Sequence, residues 1–236
     1  MKTYFAVFRM RLIVGMQYRA AAWAGILTQF FWGFMYIMIY MAFYASGGAK
    51  SSMPLSQLVS YIWLQQAFLN IIMMWLQDDD LLPIIANGHV AYELCRPYNL
   101  FKFWYARLLA TRVSNTILRC LPVLLIASLL PTPYHLELPA GIDACALFLL
   151  SLCLSLFLVT AISMFIYILT FVTLSPVGPK VIVALTAEFL QGSMIPIPLM
   201  PTWLQQILNF LPFRYSADFH LEFTPETLQG QMRYFK

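Results

Sequence analysis

The sequence predicts an all-α polytopic membrane protein, and three observations carry that expectation. The 236-residue chain is 61% hydrophobic, 16% aromatic and only 10% charged, with a mean hydropathy of +0.74, far from the composition of a soluble domain. Several uncharged stretches reach the roughly 20 residues a helix needs to cross about 30 Å of hydrocarbon. The basic residues flank those stretches and do not gather on one face. The net charge of +4 therefore reads as membrane topology and excludes a nucleic-acid surface.

Taken in order, residues 1–19 place Phe5, Phe8 and Leu12 on one helical face with Arg9 and Arg11 elsewhere, the pattern of a helix in the cytoplasmic interface or of a plain basic flank. Five spans follow: 20–45, 55–77, 111–130 interrupted by Arg112 and Arg119, 144–174 with no charge, and 181–195 carrying Glu188. Lys2, Arg9, Arg11 and Arg19 precede the first span. Arg96, Lys102, Arg107 and Arg112 follow the second, and Lys180 follows the fourth. The opposite side has Lys50 in one loop, no Lys or Arg in 131–143, and Arg214, Arg233 and Lys236 in the tail. This asymmetry places the N-terminus in the cytoplasm of a cell membrane. The whole of 1–236 reads as one transmembrane domain.

Chemistry-bearing motifs are scarce. Cys95, Cys120, Cys145 and Cys153 have no C-x-x-C spacing, against a metal or disulfide framework. The basic start before Ala20 to Ala22 lacks the apolar core of a signal peptide. The loop ASGGAKSS lacks the G-x-x-x-x-G-K-[ST] spacing and follows a span, not a strand, so the chain carries no nucleotide loop. Asp78, Asp79 and Asp80 could hold a metal for phospholipid-headgroup transfer, but the next acid is Glu93. His89, His135 and His220 stand on three segments, so no histidine cluster forms.

Two segments stand apart. Between 78 and 107 the chain reads DDDLLPIIANGHVAYELCRPYNLFKFWYAR. Asp80 is a candidate cap, Pro83 tolerates a first turn and Gly88 is a helix stop; Pro97 forbids smooth continuation. This is a short exposed element with a rigid exit, either a solvated connector or a docking knob in which Tyr92 and mixed charges meet a partner. The second segment, GSMIPIPLMPTWLQQILNFLPFRY from Gly192 to Tyr215, opens an outer region over 196–236. Pro196, Pro198 and Pro201 break any helix. Thr202 and Gln205 read as a capping box before an apolar face of Trp203, Leu204, Ile207, Leu208 and Leu211 that Pro212 closes. Broken backbone at membrane depth requires protein or a water-filled cavity around it.

Arg112 and Arg119 fall two turns apart on one face of the third predicted span, and Glu188 lies halfway along the fifth. A mid-bilayer charge costs at least about 2.5 to 3.5 kcal/mol on insertion scales, so these groups face protein, water or each other. An ion pair between helices and a contact with cargo are both open.

The order of spans, with AYELCRPYN after the second and G-S-M-I-P-I-P-L-M-P-T-W-L-Q-Q-I-L-N-F-L-P-F after the fifth, resembles the membrane subunit of type-2 ABC exporters whose ATPase is separately encoded. The resemblance covers essentially the whole chain. The family usually has six spans, and the sixth would follow Lys236. It implies that the 78–97 element is a coupling helix seated in an ATPase subunit, with Gly88, His89, Tyr92, Glu93 and Arg96 at or beside the contact. It further implies an export permease that pairs with an identical or homologous second permease in the lipid bilayer. This chain would bind no cofactor; ATP and magnesium would belong to the partner ATPase. The expectation from another class is a membrane-embedded lipid-modifying enzyme built on Asp78 to Asp80.

Overall fold

The computed structural model describes residues 2–17, 19–46, 54–78, 80–137, 142–193 and 195–217. Lys50, Asp79, His220 and the 218–236 part of the outer region lie outside the described residues. Among the described residues every regular element is a helix: α1 (Lys2–Gln17), α2 (Arg19–Ala45), α3 (Leu55–Ala67), α4 (Leu69–Ile72), α5 (Leu81–Ala86), α6 (Val90–Leu94), α7 (Leu100–Leu129), α8 (Ile142–Thr173), α9 (Val177–Leu190), α10 (Thr202–Asn209) and α11 (Arg214–Ala217), with a 3-10 turn at Ile197–Leu199.

Three of these helices, α2, α7 and α8, are long and apolar enough to cross a membrane. Helices α2 and α8 are long apolar runs, whereas α7 carries Lys102, Arg107, Arg112 and Arg119; each leaves large apolar side chains outward: Leu27 and Phe31 on α2, Leu121 and Leu125 on α7, Leu150 and Leu154 on α8. In a chain of this composition those outward faces meet lipid. The other two predicted spans differ. The stretch expected over 55–77 is helical only to Ile72 and is broken at Phe68, whose φ of −102° and ψ of 15° leave the helical region; Met73 is extended. The stretch expected over 181–195 is the 14-residue α9, which starts earlier and ends at Leu190.

The third predicted span starts at Leu100, well ahead of the expected 111. Its start is local chemistry: Asn99 is extended and its side-chain oxygen accepts from the Lys102 amide at 3.0 Å, a side-chain N-cap. With 30 residues α7 runs about 45 Å, longer than the hydrocarbon core. Lys102 and Arg107 are therefore helical residues and not loop charges.

Helix α1 forms as the N-terminal pattern predicts, but its packing face differs. Tyr4, Phe8, Leu12 and Gly15 turn inward, while Phe5 is 69% exposed. The helix runs alongside α7 in the same direction. The Asn99 amide donates to the Tyr4 hydroxyl at 3.2 Å near one end, and Ser114 fills the space where a Cβ at Gly15 would sit near the other. Gly15 is thus the notch that lets the two backbones approach.

The main core joins α2, α3, α7, α8 and the 130–137 loop. Trp63 is fully buried in it, ringed by Phe30 and Phe34 at centroid distances of 5.4 and 5.3 Å, and its indole N–H donates to the Tyr134 carbonyl at 2.9 Å. Gly33 makes room for that indole, since a Cβ there would lie 2.8 Å from the ring.

Candidate functional site

The 78–97 element divides into a buried half and an exposed half. Leu81, Leu82 and Ile85 of α5 are buried against Trp104, Leu108 and Tyr167 of α7 and α8. Asp80 precedes α5 but its side chain makes no cap bond, because the carboxylate is used elsewhere. After Asn87 the chain reverses at Gly88, whose φ of +73° suits glycine. The next helix, α6, has no buried residue. Tyr92 is 75% exposed, Leu94 65%, and His89, Arg96 and Pro97 are exposed beside them.

Glu93 is the exception in this group. The Tyr98 hydroxyl donates to its carboxylate at 2.5 Å, and Arg96 approaches the other oxygen at 3.7 Å. Tyr98 in turn stacks on Phe103 with centroids 4.5 Å apart. Burial, reinforced by the Glu93 acceptor, raises the Tyr98 phenol above its usual 10.0, so it remains a proton donor at neutral pH. Glu93 therefore organises the turn from α6 into α7, and Tyr92, Leu94 and Arg96 are left to face outward.

Behind this knob lies an ion network. Arg107 on α7 is 9% exposed; its Nε and one terminal nitrogen grip both oxygens of Asp78, the second at 2.8 Å. The same terminal nitrogen reaches Asp80 at 2.6 Å, and Asp80 also meets Arg11 of α1 at 3.4 Å. The Asp78 amide donates to the Tyr167 hydroxyl of α8 at 3.0 Å. One side-chain cluster thus ties α1, α7 and α8 to the strand of chain that enters α5. Both Asp78 oxygens are taken up by a guanidinium, an arrangement in which a metal would have to displace Arg107.

Five residues along α7, Arg112 has no exposure at all. One terminal nitrogen donates to the carbonyls of Asn70, Ile71 and Met73 at 3.2, 3.1 and 2.8 Å; the other donates to the Leu76 carbonyl at 3.0 Å and to Ser163 Oγ at 2.7 Å. A helix end leaves its last carbonyls without intrahelical partners. Here the guanidinium supplies the missing donors for the break after α4, and that explains how a charge stands inside a span without a carboxylate opposite it.

Neither Arg112, Arg119 nor Glu188 is in an ion pair among the described residues. Arg119 lies across Gly25 of α2, filling the space where a Cβ would stand. Glu188 lies half-buried in the last turn of α9, and Trp75 packs against Ala184 and Ala187 of the same helix. The arrangement of the three charges is thus three separate solutions and not one pair.

No protein-family model, curated protein or solved structure matches the chain.

The Gly192 to Pro212 segment is held from below. Gly192 has φ of +81°, its amide donates to Phe189 and the Ser193 amide to Glu188, a two-bond stop for α9. Gln65 donates to the Ser193 carbonyl at 2.9 Å, Tyr61 to the Gly192 carbonyl at 3.4 Å, and Ser216 Oγ to Gln191 Oε1 at 3.0 Å. Pro196 is buried and leads the 3-10 turn; Pro201, not Thr202, is the N-cap of α10. Gln205 reaches back to the Met200 carbonyl at 2.7 Å, so the expected reciprocal capping box is replaced by a one-sided bond. Leu208 packs with Ile197 and Met200, while Trp203 is 62% exposed and Pro212 is exposed at the far end. Pro198 belongs to the 3-10 turn.

The ionic and guanidinium contacts were the residues sequence reasoning missed. Asn99 three residues before Lys102 was the available signal, because a helix starting there turns Arg107 and Arg112 into neighbours of the 70–80 backbone.

Proposed function

We propose that this chain is the membrane subunit of an ATP-driven exporter, working as a pair of permeases and docking an ATPase subunit through α6. The single observation that carries the reading is the contrast between the two halves of the 78–97 element. An exposed five-residue helix bearing Tyr92 and Leu94, with Arg96 just after it, is mounted on a base that is anchored by apolar packing and by the Arg107–Asp78 clamp, and the chain leading into that base is held by the Arg112 contacts to the Met73 and Leu76 carbonyls. A solvated connector needs no such mounting. A lever does, since a push on α6 is delivered to α7, α8 and the break in the second span without being absorbed by a loose hinge.

In this reading ATP binding draws the ATPase subunits together, moves the two α6 knobs and favours an outward-releasing state, through the different affinities of the ligand for the two states. Two chains facing each other build the path that one small bundle cannot enclose. The bilayer is a cell membrane and the knob lies on its cytoplasmic side. ATP and magnesium bind in the partner.

The test is co-purification from native membranes in mild detergent, read by mass spectrometry and by ATP hydrolysis of the isolated complex. The wild-type chain carries an ATP-hydrolysing protein in near-equal amount. Tyr92→Ala with Leu94→Ala, both at exposed positions, loses it while the chain itself remains monodisperse. If the double variant retains the ATPase at the wild-type ratio, or no ATP-binding protein accompanies the wild type, the proposal fails.

A further inference from the structure

We propose that residues 68–77 are a two-state element: broken, as here, when the Arg112 guanidinium supplies the donors, and a continuous extension of α3 when the backbone supplies its own. That a push on α6 works this element rests on the exporter reading; the two states themselves do not.

Nothing local requires the break. Residues 68–77 read FLNIIMMWLQ, without proline or glycine and rich in good helix formers. Yet α3 gives way at Phe68, α4 ends at Ile72, and Met73 is extended with φ of −63° and ψ of 121°. In a continuous helix each amide donates to the carbonyl four residues back, so Met74, Trp75, Leu76 and Gln77 would donate to Asn70, Ile71, Ile72 and Met73. Among the described residues none of these four amides makes a backbone hydrogen bond. Three of the four carbonyls, those of Asn70, Ile71 and Met73, are the ones that a single terminal nitrogen of Arg112 holds at 3.2, 3.1 and 2.8 Å. One guanidinium nitrogen thus stands in for three backbone amides, and these carbonyls have a donor in either form.

Each form keeps bonds that the other gives up. The continuous helix gives acceptors to amides that now lack them. It also takes the guanidinium from the Leu76 carbonyl and Ser163 Oγ, draws Met74 from its packing with Val159, Ala184 and Ala187, and pulls on Asp78, which Arg107 clamps and Tyr167 accepts from. These losses are why the chain rests in the broken form and why removing Arg112 is destabilising. An unbroken helix from Leu55 to Gln77 would be about 35 Å long, enough to cross the hydrocarbon core, whereas the 13 residues of α3 reach only about 20 Å. Its far end joins Asp78 and then α5, the base on which α6 is mounted, so a displacement of that base acts directly on residues 73–77. An element with two discrete arrangements is what converts such a displacement into a change of state.

The test is hydrogen–deuterium exchange of the purified chain in lipid nanodiscs, read by mass spectrometry over peptides covering 73–78, with α2 as the internal reference. Arg112→Met has no donor to offer and shifts the element to the continuous form, so exchange at 74–77 slows about tenfold or more even though the protein is less stable. An arginine with a purely structural role predicts the opposite sign, since its loss loosens the stretch. Met74→Pro supplies the control. Met73 already has the extended backbone that a following proline demands, and proline cannot join the helix, so in the Arg112→Met background it returns 75–77 to fast exchange. Should Arg112→Met fail to give a monodisperse protein, Arg112→Lys, which lacks the planar fork, slows the same amides to a smaller degree. Exchange that is unchanged or faster in Arg112→Met, or in Arg112→Lys where only that variant folds, overturns the two-state element, and so does slow exchange that survives Met74→Pro. No ATPase is present, so this result stands apart from whether an ATPase co-purifies.

Discussion

Replacing Arg112 with methionine is the most informative single perturbation of this fold. Methionine keeps much of the side-chain volume and removes every donor. Four carbonyls, those of Asn70, Ile71, Met73 and Leu76, then lose the guanidinium, and Ser163 Oγ loses its partner. A buried acceptor left without a donor costs about 1 to 3 kcal/mol, so four cost roughly 4 to 12 kcal/mol. Against this, the variant no longer buries a guanidinium, which returns about 3 kcal/mol on insertion scales. The net loss centres near 5 kcal/mol, a large share of the roughly 5 to 15 kcal/mol by which proteins are stable. At about 2 to 4 °C per kcal/mol for a chain this long, the melting midpoint falls by roughly 10 to 20 °C. Arg112→Lys retains the charge and up to three donors, but not the planar fork that spans two separated groups of carbonyls, so it falls about half as far. The assay is fluorescence-detected size exclusion after a temperature series in detergent. If Arg112→Met melts within a degree or two of wild type, the guanidinium is not what completes the break after α4, and the reasoning is refuted.

Three further outcomes follow from the same contacts. Gly192→Ala destabilises more than Gly88→Ala: both positions have positive φ, worth about 1 to 2 kcal/mol against a side chain, but only at Gly192 does the added Cβ meet a neighbour, Ile197 Cγ1 at 2.8 Å; equal melting shifts contradict this. Arg107→Met leaves the Asp78 carboxylate, 6% exposed, without its cation and costs about 3 to 5 kcal/mol, while Asp80→Asn, at an outer position of the network, costs well under half as much in the same melts. Gln29→Leu stabilises by about 1 to 3 kcal/mol, because both polar atoms of that buried amide lack a partner among the described residues; a lower midpoint shows that the amide is satisfied by something bound there.

How much was legible in the sequence depended on whether a feature was local. The uncharged runs of α2 and α8 set their own extents, and Gly88 and Gly192 stop helices for a reason that lies within one residue's backbone. The Asp80 cap and the Thr202 capping box followed local rules too, yet the structure sets both aside, since Asp80 finds Arg107 and Arg11, and Pro201 already fixes the backbone ahead of α10. The break at Phe68 to Met73 was not legible. Nothing in LNIIMMW forbids a helix, and the break exists because Arg112, four tens of residues away, supplies the donors it needs. Arg107 was hidden for a related reason: placed in a loop it is a flanking charge, and placed on a helix capped by Asn99 it closes on Asp78. Glu93 was legible as a charge in an exposed element, but its pairing with Tyr98 and Arg96 depends on the turn made after α6.

The central claim, that α6 is where an ATPase pushes, is tested most directly from Cys95, which is exposed at the end of that helix. With Cys120, Cys145 and Cys153 replaced by serine, a short thiol-directed photocrosslinker on Cys95 is activated in native membranes, and the adduct is purified and sequenced. The account predicts one dominant protein adduct, an ATP-hydrolysing subunit, whose yield changes when ATP is trapped in its bound state. An adduct formed only with lipid, or with a protein that neither binds nor hydrolyses ATP, would contradict it.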